Sequence, residues 1–118
     1  MPLPARRKRE SAETGRDKRA RSPAHLSFVR GHECSVSGCK GVPIEVAHVR
    51  VGTDGGTGLK PSDNWTISLC REHHQEQHAI GEPAFEVRHR INMKALAAEF
   101  AAASPAWKRH LKKMEAQR

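Results

Sequence analysis

Three cysteines and one histidine limit what this chain can fold into more tightly than any other feature. Cys34 and Cys39 are separated by four residues, Cys70 and His73 by two, and a long stretch joins the pairs. Two short-spaced pairs across a long loop form the usual layout of a structural zinc knuckle, each pair filling two corners of a tetrahedron. Gly38 can make the tight turn inside the first pair. Three thiolates and an imidazole complete a zinc shell with no position left open. Cys34, Cys39, Cys70 and His73 are therefore expected to hold a structural zinc. The chain needs such a staple: it has 118 residues, 4% aromatic, with no tyrosine. A core built from so little apolar material is marginal, and small domains often recruit a metal.

The cysteine count is odd, which argues against a secreted disulfide framework. The start, MPLPARRKRE, has no apolar stretch of the kind a signal peptide carries. No run approaches the roughly 18 apolar residues that cross a bilayer. The expectation is a cytoplasmic, intracellular protein with no membrane partner.

The formal net charge of +8 points to a polyanion, most commonly nucleic acid. Residues 1–24 hold eight Lys/Arg against three acids and few apolar side chains. They read as a flexible basic arm, either neutralising phosphates without reading sequence or simply solvated. Residues 25–90 form the expected compact core, and 91–118 a helical C-terminal segment. In the core, Leu26, Phe28 and Val29 begin an apolar patch. Val42, Ile44 and Val46 alternate as a strand over 42–46, and Trp65, Ile67 and Leu69 as a second over 65–69. The glycine-rich stretch 52–58 between them is a loop. Residues 71–80 have helix formers without Gly or Pro, and Gly81 and Pro83 end that helix. Over 91–103, Ile91, Ala95, Ala98 and Ala102 share a helical face, broadened by Leu96 and Phe100. Ser104–Pro105 starts a last helix, with Trp107, Leu111 and Met114 on its packing face and Lys108, Arg109, Lys112 and Lys113 elsewhere.

On the 71–80 helix His74 and His78 are one turn apart and share a face, whereas His73 is rotated by about 100°. His73 can thus turn to the zinc while His74 and His78 form a second metal clamp. His48 ends the first strand. A strand-end histidine, a glycine-rich loop, a second strand and a histidine-bearing helix can bring His48 to face His74 and His78 across a small cleft. A general base and a metal would there share one phosphate.

These residues resemble the HNH (ββα-metal) endonuclease superfamily, and within it the small phage and prophage nucleases associated with recombination. The resemblance rests on C-x4-C at Cys34 to Cys39, AHVR at 47–50, GTGLKPSD at 56–63 and SLCREHHQEQH at 68–78, and covers roughly residues 31–90. It implies an α+β fold: a small zinc-stapled ββα-metal core with C-terminal helices and a disordered basic N-terminal arm. It implies a DNA endonuclease of phage or prophage type that hydrolyses phosphodiester bonds with one divalent metal, Mg, Mn, Ni or Zn. His48 is then the general base, and His74 and His78 the ligands of the catalytic metal. Asp63 or Asn64, with Asp63 preferred, orients His48 or touches the metal. Arg50, Lys60 and Arg71 are candidate DNA-phosphate contacts. Many members carry Asp or His just before the general base, where this chain has Ala47. The competing expectations are a zinc-dependent DNA-binding module without catalysis, and an adaptor in a phage recombination or packaging complex. DNA sequence preference and oligomeric state are not legible.

Overall fold

The computed structural model describes residues 19–55 and 60–117 and shows an α+β domain. In chain order the described elements are α1 (Pro23–Arg30), β1 (Ile44–His48), β2 (Thr66–Cys70), α2 (Arg71–Ile80), α3 (Glu82–His89), α4 (Met93–Ala103) and α5 (Pro105–Ala116). β1 and β2 pair antiparallel, with Ile44 opposite Cys70 and His48 opposite Thr66. That register sets the layout of the molecule. Cys70 lies at one end of the hairpin and His48 at the other, about 13 Å apart at a strand's rise of 3.3 Å per residue. α2 leaves directly from Cys70 and lies along both strands. Its early residues sit near the cysteines and its later ones near His48.

Both strands begin later than the alternation suggests, which gave 42–46 and 65–69. Val42 is 82% exposed, and the core side of β1 is carried by Ala47, with Val49 just beyond. β2 is buried along its whole length because α1, α4, α2 and β1 all pack on it. Cys34, Ala47, Val49, Ile67, Leu69, Cys70, Phe85, Met93 and Ala97 make one core cluster. The helix after residue 91 thus shares the core of the hairpin. Its packed face differs from the one expected. Met93 and Ala97 are buried with Leu96 and Phe100 against them, while Ala95, Ala98 and Ala102 face solvent. The bulkier side chains repay burial best, so they win the inward face.

Two helices were not foreseen. α1 opens on Ser22, whose side chain accepts from the His25 N–H, followed by Pro23. α3 opens on Gly81, at φ 87°, with Pro83 in its first turn. Pro83 therefore starts a helix as well as following one, because a first-turn proline gives up no helical hydrogen bond. α5 starts as expected: Ser104 Oγ accepts from the Trp107 N–H at 3.0 Å. Its packing is strongest in the first two turns, where His110 stacks on Trp107. Trp107 is buried near His25, while Leu111 and Met114 are 43% and 42% exposed.

The end of the expected arm is fixed rather than flexible. The Ala20 N–H donates to Ser62 Oγ, the Ser22 N–H donates to Asp63 Oδ2, and Arg21 pairs with Asp63. Residues 1–18 of the arm, and 56–59 of the glycine-rich loop, lie outside the described residues. Among the described residues, no helix is long and apolar enough to cross a membrane.

Candidate metal centre and histidine cleft

The two cysteine-bearing segments converge at one end of the hairpin. His73 Nδ1 lies 3.3 Å from Cys34 Sγ and 3.2 Å from Cys70 Sγ, and Cys39 Sγ lies 3.9 Å from Cys70 Sγ. All four donor atoms fall within 4.8 Å of one another. Zinc–sulfur bonds of about 2.3 Å in a tetrahedron require donor separations of roughly 3.8 Å, somewhat less where nitrogen replaces sulfur. The four residues thus fit a metal ion, and their soft donors are those zinc takes. Burial pushes the Cys34 thiol up to about 11. The Gly41 N–H, 3.3 Å from Cys39 Sγ, holds that thiol below its usual value.

The backbone around the cluster is specialised. Gly38 has φ 79°, as its place in the first turn requires. Gly41 has a different reason to lack a side chain: a Cβ there would lie 3.1 Å from Cys70 Sγ and 3.3 Å from Cys39 Sγ. Spacing did not single out Gly41, since only the fold brings Cys70 against it.

At the other end of β1, His48 is held by a buried carboxylate. His48 Nε2 is 3.0 Å from Asp63 Oδ1, and Asp63 is 2% exposed. Burial alone would raise the Asp63 pKa. The His48 bond, the Ser22 N–H and the Arg21 charge outweigh it and hold the group below the ordinary carboxylate value. A carboxylate only accepts, so His48 Nε2 carries the proton and Nδ1 keeps its lone pair in the neutral ring. Of the two acid–amide candidates, Asp63 is the one bonded to His48. Asn64 is half-buried beside it.

His48 lines a cleft of about 270 Å³ with Arg50, Val51, Gln77, His78, Gly81 and Glu82. Glu82 fixes one wall. Its carboxylate accepts from the Arg50 N–H at 2.8 Å and the Val51 N–H at 3.0 Å, tying the start of α3 to the chain leaving β1. His74 does not line the cleft; it reaches it through His78, whose Nε2 is 3.1 Å from His74 Nε2. The histidine clamp and the strand-end histidine are therefore linked in space.

His74 Nδ1 meets Glu45 Oε1 at 2.9 Å, and Arg71 Nε meets Glu45 Oε2 at 3.2 Å. These contacts, first with His74 and then with Arg71, lower the Glu45 pKa. Of the three candidate phosphate contacts, Arg50 is at the cleft, Arg71 is engaged by Glu45, and Lys60 is exposed, with its carbonyl accepting from Arg21. Ala47 is completely buried in the core. An acid at that position would sit among apolar side chains in this fold.

Comparisons with curated proteins and with solved structures found no match. A family described as a protein of unknown function, DUF968, matches residues 13–105, a span that contains the cysteine cluster, the cleft and the helices up to the start of α5. With most of its length matched, the chain belongs to the DUF968 family.

Proposed function

We propose that this protein is a metal-dependent DNA endonuclease of the HNH (ββα-metal) type, with a structural zinc apart from its catalytic centre. The observation that carries this reading is the oriented imidazole at the cleft. Asp63 accepts a hydrogen bond from His48 Nε2, and His78, one wall of the same cleft, lies against His74. Hydrolysis of a phosphodiester needs a base beside a charge-offsetting site, and these are the two parts.

In this reading His48 Nδ1 removes a proton from a water whose oxygen attacks phosphorus, and the Asp63 carboxylate steadies the imidazolium that results. His74 and His78 would hold a divalent cation through their Nε2 atoms. Bound there, Mg, Mn, Ni or Zn would offset charge on the phosphate and on the leaving oxygen. The 3.1 Å between the two Nε2 atoms suits neighbouring ligands at metal–nitrogen bonds of about 2.1 Å. With Ala47 in the core, His74 and His78 are the two side chains that would hold the cation. Arg50 at the cleft is the first candidate to hold the phosphate, with Lys60 and Arg71 on the approaches. The +8 charge suits backbone contacts, which position DNA without reading its sequence.

The test is a nicking assay on supercoiled and branched DNA with Mg, Mn or Ni. His48→Ala is expected to lose about 100-fold or more of the cleavage rate, the usual share of a positioned general base. Cleavage unchanged by that substitution removes His48 from the role. DNA binding without cleavage under every metal would favour a non-catalytic DNA-binding module instead.

A further inference from the structure

β1 and α2 run side by side from the cysteine cluster, so residues at matching distances from it face each other. Glu45, the second residue of β1, meets His74, the fourth of α2. One Glu45 oxygen is 2.9 Å from His74 Nδ1 and the other is 3.2 Å from Arg71 Nε. A carboxylate offers only acceptors, so the bond to His74 requires a proton on Nδ1. In the neutral ring Nε2 then carries a lone pair, and that atom faces His78 Nε2 at 3.1 Å. Two imidazole nitrogens so close need a proton or a cation between them. Because His74 is fixed as an acceptor on that side, a cation can take the place of the proton His78 supplies.

From this arrangement we infer that Glu45 is a positioning residue: it fixes the tautomer and ring orientation of His74 so that His74 and His78 present paired Nε2 lone pairs to a divalent cation. The inference rests on the metal-binding half of the proposed function. It also gives Arg71 a role. Arg71 holds the second Glu45 oxygen and so sets the angle at which the first meets His74. A carboxylate behind a ligating histidine raises its basicity and reduces the freedom lost on binding, commonly about 10–100-fold in metal affinity. The Glu45 carboxylate bonds His74 and Arg71 rather than the cysteine cluster, so a zinc held there is left alone.

The experiment uses full-length, zinc-loaded protein and titrates Mn2+ and Ni2+ by calorimetry in wild type, Glu45→Ala, Glu45→Gln and His74→Ala. Nitrogen-15 spectra of the imidazoles, taken without added Mn2+ or Ni2+, report the His74 tautomer. The expected result is one exchangeable cation in wild type and none in His74→Ala. Affinity should fall about 10–100-fold in Glu45→Ala and by less in Glu45→Gln, whose amide oxygen still accepts. His74 should carry its proton on Nδ1 in wild type and shift toward the Nε2 form in Glu45→Ala, with the zinc content unchanged. Equal affinity and an unchanged tautomer in Glu45→Ala overturn the role of Glu45 while leaving the metal site standing. Failure of wild type to bind a second cation overturns the metal site, and this inference with it.

Discussion

The two ends of the β1–β2 hairpin carry the same kinds of donor group and use them in opposite ways. At the Cys70 end, four donors converge within 4.8 Å of one another. At the His48 end, the donors lie in or beside an open cleft, and carboxylates back two of the histidines and one wall: Asp63 behind His48, Glu45 behind His74, Glu82 behind the backbone of Arg50 and Val51. A closed set of ligands spends all its bonding capacity on stability. A supported, incomplete set keeps capacity for something that arrives from outside. Two neighbouring histidines show the contrast most directly. His73 faces the cysteines, and His74, one residue on, faces Glu45 and His78.

The largest expected effect lies at the closed end. Strong chelation, or Cys70→Ser, should unfold the domain, since a structural zinc contributes on the order of 10 kcal/mol to folds of this kind. Circular dichroism and zinc content should be lost together. A folded, metal-free chain would abolish the distinction between the two ends. Asp63→Ala comes next. It leaves the buried Ser22 N–H without its acceptor and breaks the ion pair with Arg21, at a cost of about 3 kcal/mol in urea unfolding. A loss under 1 kcal/mol would mean that the carboxylate serves His48 alone.

A smaller effect separates pH sensitivity from metal chemistry. His25, on α1, is fully buried against Trp107 of α5, neither ring nitrogen has a hydrogen-bond partner among the described residues, and burial lowers its pKa, with Asp63 partly opposing. The unfolded chain therefore binds a proton below pH 6.5 that the folded chain refuses. Stability should fall as pH drops from 6.5 toward the lowered folded value, by at most about 1.4 kcal/mol per pH unit. His25→Leu should flatten that slope in urea unfolding at pH 7.5 and 5.5. An identical slope in both proteins would assign it elsewhere. The smallest effect is His78→Ala, on an exposed side chain of the open end. It should shift stability by no more than about 0.5 kcal/mol, whereas His73→Ala should cost the fold. Similar losses from both would show that the two ends are not energetically distinct.

Legibility in the sequence follows the same division. The cysteine cluster could be read because its residues come in local pairs at a spacing that suits a metal ion. Ser104–Pro105 could be read as a helix start for the same reason, and Ser22–Pro23 carries an equivalent signal at α1. The supports of the open end were legible only in part. Asp63 is singled out through the resemblance of its GTG-x-KP-x-D stretch, but Glu45 and Glu82 meet their partners across 29 and 32 residues of chain. No periodicity encodes such a meeting; it follows from strand register and from the direction in which α2 leaves Cys70. The packed face of α4 was misjudged because alanines at helical spacing resemble a seam, while the space beside β2 is filled by Met93 and the larger residues in register with it.

The most direct measurement treats the two ends separately in one sample. Zinc-loaded protein is stripped of exchangeable metal with a mild chelator, and circular dichroism and DNA nicking are followed through the stripping and through re-addition of Mn2+. The expected result is an unchanged fold and retained zinc, with nicking lost on stripping and restored by Mn2+. Nicking that continues at full rate in the folded, stripped protein would contradict it.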